Sequence, residues 1–110
     1  MEVQISGRHY DITDVIEDHV EQRVKKLPRY DDQIIRLSVV LEVDSGNDTA
    51  EVIAKCRGTT LVAESTGHDM HAAIDDAFGK MEREVKRYHE KMIDKRDKQG
   101  PRGISSLEEQ

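Results

Sequence analysis

The chain has 110 residues, a formal net charge of −6, 36% charged against 35% hydrophobic residues, no Trp and one Phe. That length suits one domain with a thin aliphatic core and excludes two. No segment approaches the roughly 20 apolar residues of a membrane span, the first residues show neither a basic start nor an apolar run, and the lone Cys56 has no partner for an internal disulfide, so the expectation is a soluble, cytoplasmic protein with no signal peptide.

Residues 2–6 alternate Val3 and Ile5 with polar neighbours before Gly7 breaks the pattern, which predicts a short first strand. Thr13 can cap a helix whose apolar residues Ile12, Val15, Ile16, Val20, Val24 and Leu27 recur at helical spacing until Pro28. Acids lie in its first turns (Asp14, Glu17, Asp18) and bases near its end (Lys25, Lys26, Arg29), which complements the helix dipole. Residues 34–43 predict a strand with Ile35, Leu37, Val39, Leu41 and Val43 on one face and Ile34, Arg36, Ser38, Val40 and Glu42 on the other, closed by turn residues 44–48. Residues 49–57 and 59–66 alternate likewise around Gly58, making an antiparallel meander. Asp69 can cap a long helix with Met70, Ala73, Ile74, Ala77, Phe78, Met81, Val85, Tyr88 and Met92 on one seam. The predicted fold class is α+β: a two-layer sandwich, β-α-β-β-β-α, with both helices on one face of a four-stranded mixed sheet. Residues 1–98 form the domain, and the Gly-, Pro- and Ser-containing residues 99–110 are expected to be a flexible tail.

Charge is distributed unevenly. Residues 1–79 hold eight Lys/Arg and sixteen Asp/Glu, residues 80–102 hold nine and five, and residues 103–110 hold two acids only. At 100° per residue, Lys80, Arg83, Arg87, Lys91 and Lys98 occupy an arc of about 80° beside the apolar seam, and Asp75, Glu82, Glu90 and Asp97 lie further round. Long surface helices commonly carry Lys and Glu, and bases late in a helix suit its dipole. Yet Arg83, Arg87, Lys91 and Lys95 follow one another at i,i+4, where like charges cost roughly 0.2–0.5 kcal/mol per pair. The favourable spacings Asp76–Lys80, Glu82–Lys86 and Asp94–Lys98 compensate in part. A basic ridge on an acidic chain is expected where an external polyanion supplies the counter-charges, and a structured RNA fits better than indiscriminate binding. Arg23 and Lys26 extend that surface if the two helices lie side by side.

Other constellations are weak. His68 and His71 are three apart, but metal sites need three or four ligands and His9, His19 and His89 have no recruiting spacing. Cys56 suits a small core residue better than a nucleophile, and adjacent Asp75 and Asp76 project about 100° apart, unsuited to shared-proton catalysis. No phosphate-cradling glycine loop is present. The expectation is no enzyme, no catalytic residue, no metal, no cofactor and no small-molecule substrate. The rival reading from residues alone is a protein-interaction module using the outer sheet face or the acidic helix flank, and a nearer one is a generic double-stranded RNA binder.

The segment DMHAAID at 69–75, followed by Lys80, Met81, Glu82, Arg83 and Lys86 and preceded by DITDVIEDHVEQRVKKLPRY at 11–30, resembles the ribosome hibernation-promoting factors, also called ribosome-associated inhibitors or sigma-54 modulation proteins, over about residues 1–96. The resemblance implies a β-α-β-β-β-α domain that occupies the small ribosomal subunit in the channel for mRNA and the A- and P-site tRNAs, keeping ribosomes idle in stress or stationary phase. Its partners would be small-subunit rRNA and whole ribosomes, with no membrane, and the protein would be monomeric off the ribosome. The motif carries rRNA contact onto Lys80, Arg83 and Lys86, and along the same two helices to Arg87, Lys91, Arg23 and Lys26. The chain departs from the pattern at His71, where the family usually has Tyr, and at 110 residues it is expected to be a short form, without the C-terminal dimerisation domain of long members. Its tail does not decide between promoting and preventing ribosome dimers.

Overall fold

Alternation of side chains in the strands and 3.6-residue periodicity in the helices produce six elements: β1 (Glu2–Arg8), α1 (Asp14–Lys26), β2 (Ile34–Asp44), β3 (Asn47–Cys56), β4 (Thr59–Gly67) and α2 (Met70–Lys98). The computed structural model describes residues 1–28 and 33–98, with side chains to residue 92. The expectations for Arg29, for the tail at 99–110 and for the side chains of Asp94, Lys95, Asp97 and Lys98 therefore lie outside the described residues.

The sheet runs β1-β2-β3-β4, with β1 parallel to β2 and the other pairs antiparallel, so α1 serves as the crossover between the parallel strands. On one face Leu37, Val39 and Leu41 oppose Ala54, Val52 and Ala50, which in turn oppose Leu61, Ala63 and Ser65. Ile16, Val20 and Val24 of α1 and Ala73, Ile74, Ala77, Phe78, Met81 and Val85 of α2 complete that same core, which makes the two-layer sandwich with both helices on one face. Alanines at 50, 54, 63, 73 and 77 are all buried, a small-residue lining that lets α2 lie close over β3 and β4. Phe78, Leu37, Leu41 and Ile74 are the bulk of the filling, each worth roughly 1.5–3 kcal/mol of transfer free energy.

Local chemistry sets the ends of the helices. The Thr13 hydroxyl accepts the Ile16 N–H at 3.2 Å, and Asp14 and Glu17 occupy the first turn of α1. Asp69 caps α2 by accepting the His71 N–H at 2.7 Å. Gly46 at φ +82° turns the β2–β3 hairpin beside Ser45 at φ +51°, a backbone that favours glycine and short polar residues. At Gly7 the constraint is space: a Cβ would overlap the Tyr10 carbonyl oxygen.

The start of β2 corrects the expected facing. Ile34 pairs with Cys56 and is buried, whereas Ile35 is 47% exposed, the reverse of a strict alternation from residue 34. A register shift between Ile34 and Arg36 inserts one extra residue against β3, and a one-residue slip exchanges faces.

At 1.5 Å per residue the 29 residues of α2 span about 43 Å, against about 30 Å for the nine of β4, so the helix overhangs the sheet. Among the described side chains Val85 is the last buried one of α2, Tyr88 still packs against the core, and Met92 on the same seam is exposed. No helix among the described residues is long and apolar enough to cross a membrane.

Candidate nucleic-acid interface

The two flanks of α2 have different neighbours, and that difference sorts its charges. The flank towards α1 carries Asp75 and Glu82, seven residues apart and so two turns up one side. Arg23 of α1 bridges them, Nη1 donating to Asp75 at 3.2 Å and Nη2 to Glu82 at 3.4 Å, with its guanidinium 5.9 Å from the centre of the Phe78 ring. His19, one turn earlier on α1, meets the same Asp75 oxygen at 2.8 Å. Acids that would form a free negative face are thereby consumed in holding the helices together, which also weakens the acidic flank as a docking surface.

The opposite flank, beside β4, carries Lys80, Arg87 and Lys91, with Arg83 adjoining it on the outer crest and Lys86 further round. All five side chains are exposed. Arg83, Lys86 and Lys91, together with Lys26 on α1, have no ionic partner among the described residues.

The expectation of an unpartnered basic row is corrected at Arg87 and Arg23, while Lys80 takes the Asp76 partner that its spacing allows. Arg87 donates to Glu84 at 2.8 Å, three residues back, and Lys80 reaches the Glu64 carbonyl oxygen at 3.0 Å with Asp76 at 3.9 Å. A carboxylate one turn away relieves part of the i,i+4 repulsion along the ridge. Both pairs are exposed, Arg87 to 60%, and such pairs are worth about 0–1 kcal/mol, so a phosphate competes for them readily. Arg23 differs: only 20% exposed and engaged by two carboxylates, it faces the acidic flank and does not prolong the basic one. Glu82 is taken by Arg23 instead of the Lys86 partner its spacing allows.

Near the turn of the β3–β4 hairpin the basic flank meets a concavity. Thr59 and Leu61 of β4 and Glu84, Arg87, Tyr88 and Lys91 of α2 line a cavity of about 220 Å³, and the Tyr88 hydroxyl donates to the Arg57 carbonyl oxygen at 2.7 Å. A cavity of about 400 Å³ lies elsewhere, between α1 and β1, bounded by Val3, Ile5, Glu17, Glu21, Val24 and Lys25.

The chain matches the model of the family described as sigma 54 modulation protein / S30EA ribosomal protein over residues 3–93. It belongs to that family. It is 34% identical over 101 residues to the ribosome hibernation promoting factor of Azotobacter vinelandii, covering 92% of this chain and 94% of the relative. It is 30% identical over 92 residues to the factor of the same name from Escherichia coli K12, covering 84% and 97%. Among solved structures, the Thermus thermophilus Protein Y N-terminal domain aligns with TM-score 0.72 at 35% identity, covering 80% of this chain and 99% of that one. A ribosomal subunit interface protein from Coxiella burnetii shares the fold at TM-score 0.77 and 20% identity, covering 81% and 98%.

Within this family fold, His71 has an internal neighbour. Its ring lies 4.7 Å from that of His19, so the two stack obliquely across the helix pair. Among the described residues no group of three or more His, Cys, Asp or Glu is arranged to hold a metal ion. Cys56 is buried on β3, where desolvation raises its thiol pKa and keeps it protonated. Asp75 and Asp76 diverge as their helical spacing requires, Asp76 turning to the Ser65 hydroxyl.

The inter-helix cluster of His19, Arg23, Asp75 and Glu82 and the Tyr88 cavity were not evident from spacing in one element. Their signal is bipartite: His19 and Arg23 at i,i+4 on α1 answer Asp75 and Glu82 at i,i+7 on α2.

Proposed function

We propose that this protein is a ribosome hibernation factor that binds the small ribosomal subunit in the mRNA and A- and P-site tRNA channel and keeps ribosomes inactive by steric exclusion, without chemistry, in the cytoplasm. One observation carries the reading: α1 neutralises the acids of α2 on one flank, leaving the cations of the other on the surface. The names of its relatives supply the ribosome as the partner. In this reading Lys80, Arg83, Arg87 and Lys91 contact rRNA phosphates, Lys86 and Lys26 add contacts at the margins, and Arg23 acts indirectly by holding Asp75 and Glu82 away from the RNA. Phosphate neutralisation gives affinity independent of sequence, and the shape of a folded RNA cleft gives selectivity.

The test is co-sedimentation with small subunits across a salt series. Four phosphate contacts with a slope of roughly −0.7 to −0.9 each predict an affinity loss of roughly 50- to 150-fold between 50 and 200 mM salt. The Arg83→Glu/Arg87→Glu/Lys91→Glu variant, folded by circular dichroism, is expected to lose binding. Retained binding by this variant, or indifference to salt, overturns the proposal. For the rival reading of protein contact the outer sheet face offers Val62, 51% exposed, its cross-strand neighbour Ile53, and Ile35, 47% exposed at the start of β2. That contact would be insensitive to salt. Plain duplex RNA as a competitor separates channel docking, which it leaves intact, from generic duplex binding.

A further inference from the structure

The cavity at the end of the β3–β4 hairpin is where cationic, aromatic and acceptor groups of the basic flank converge. Tyr88, half-buried, is fixed by its hydrogen bond to the Arg57 carbonyl and lines the cavity with Leu61 below and Thr59 at the mouth. Arg87 and Lys91, both exposed, stand at the rim, and Glu84 holds Arg87 at 2.8 Å. The volume, about 220 Å³, is below the roughly 300–1,000 Å³ of sites for whole small molecules, and the cavity is open to solvent on the side away from the core. It suits one planar ring that remains tethered to a larger body.

We propose that this cavity receives one unpaired guanosine of rRNA, its base laid against Tyr88 and Leu61 and its flanking phosphates held by Arg87 and Lys91. The inference rests on the RNA-binding reading above and adds a site within it. Folded RNA is recognised through unstacked bases placed on aromatic side chains and read along their Watson–Crick edges. The Glu84 carboxylate is the acceptor present. Once Arg87 turns to a phosphate, both Glu84 oxygens are released, and guanine is the base whose edge offers two parallel N–H donors to a carboxylate. Arg87 and Glu84 thus exchange each other for the two ends of one nucleotide, so the pair seen in the free protein satisfies both groups until RNA arrives.

Thr59→Trp tests the site. Residue 59 pairs with Cys56 and shares its face of β4 with Leu61, so an indole there fills the cavity while every cation is kept. Small-subunit affinity is expected to fall at least about fivefold, the low end of the loss of one stacked base, with the salt dependence unchanged. Thr59→Ala, which leaves the cavity open, is expected to bind as the wild type does, showing that the loss comes from filling. In the wild-type protein, millimolar guanosine 5′-monophosphate is expected to shift the Tyr88 ring resonances and uridine 5′-monophosphate much less. Equal subunit affinity for Thr59→Trp and wild type, or equal shifts with both nucleotides, overturns the guanosine site and leaves the docking proposal standing. Failure of the wild type itself to bind subunits overturns the docking proposal instead.

Discussion

Gly79 offers a direct test of how α2 is stabilised. It is the tenth of 29 helical residues, flanked at i−4 and i+3 by Asp75 and Glu82, and a Cβ built there meets no atom within 4 Å. Glycine inside a helix is destabilising by about 0.5–1 kcal/mol relative to alanine, because the unfolded chain has more backbone freedom to lose. With open space above it and an ordinary helical φ, Gly79→Ala recovers this term without steric cost. For a domain of this size 1 kcal/mol corresponds to a shift of about 4–8 °C, so the melting temperature should rise by about 2–8 °C. Urea unfolding followed by circular dichroism should show a higher midpoint at an unchanged slope. A lower midpoint would refute the reasoning, since it would mean that something occupies the space the methyl enters or that α2 bends at residue 79.

Three further outcomes follow from the packing. Gly7→Ala forces a methyl against the Tyr10 carbonyl and should cost about 1–3 kcal/mol in the same urea assay; a neutral result would show that the loop after β1 yields freely. Asp75→Ala removes a carboxylate shared by Arg23 and His19 but leaves Glu82 to Arg23, and because Asp75 is half-exposed the loss should be only about 0.5–1 kcal/mol, a loss that 1 M salt reduces. Burial raises the Cys56 thiol above its usual value near 9, and burial with the Asp48 charge raises the Tyr10 phenol above its usual value near 10. Both groups are held neutral by the fold, so this stability is complete below pH 9 and is lost as pH rises, when the unfolded chain ionises first. Cys56→Ala should remove the first part of that alkaline loss in a pH series of urea midpoints.

Much of the fold was legible because its patterns are local. Leu37, Val39 and Leu41 alternate cleanly, Thr13 and Asp69 are strong caps, and the α2 seam keeps one period from Met70 to Tyr88. Alternation alone does not tell Ile34 from Ile35, because both are large and apolar: only the pairing with Cys56 on another strand shows which is inside. The basic residues of α2 were equally readable as positions on a helix. Their states were not, because whether a cation is spent depends on what folds beside it. Arg23 looked like an extension of the basic surface, yet the crossing of the helices sets it between Asp75 and Glu82.

The bond from Lys80 to the Glu64 carbonyl has a practical corollary. β4 is the outermost strand on its side of the sheet, and an outermost strand invites self-association by backbone addition. The ammonium of Lys80 occupies one of the acceptors such an addition would use, and its charge repels the same basic flank of a second copy. Replacing Lys80 to test the proposed rRNA contact would therefore also unmask a sticky margin, and turbidity rising with protein concentration in a Lys80→Ala sample would reveal lost solubility masquerading as lost affinity.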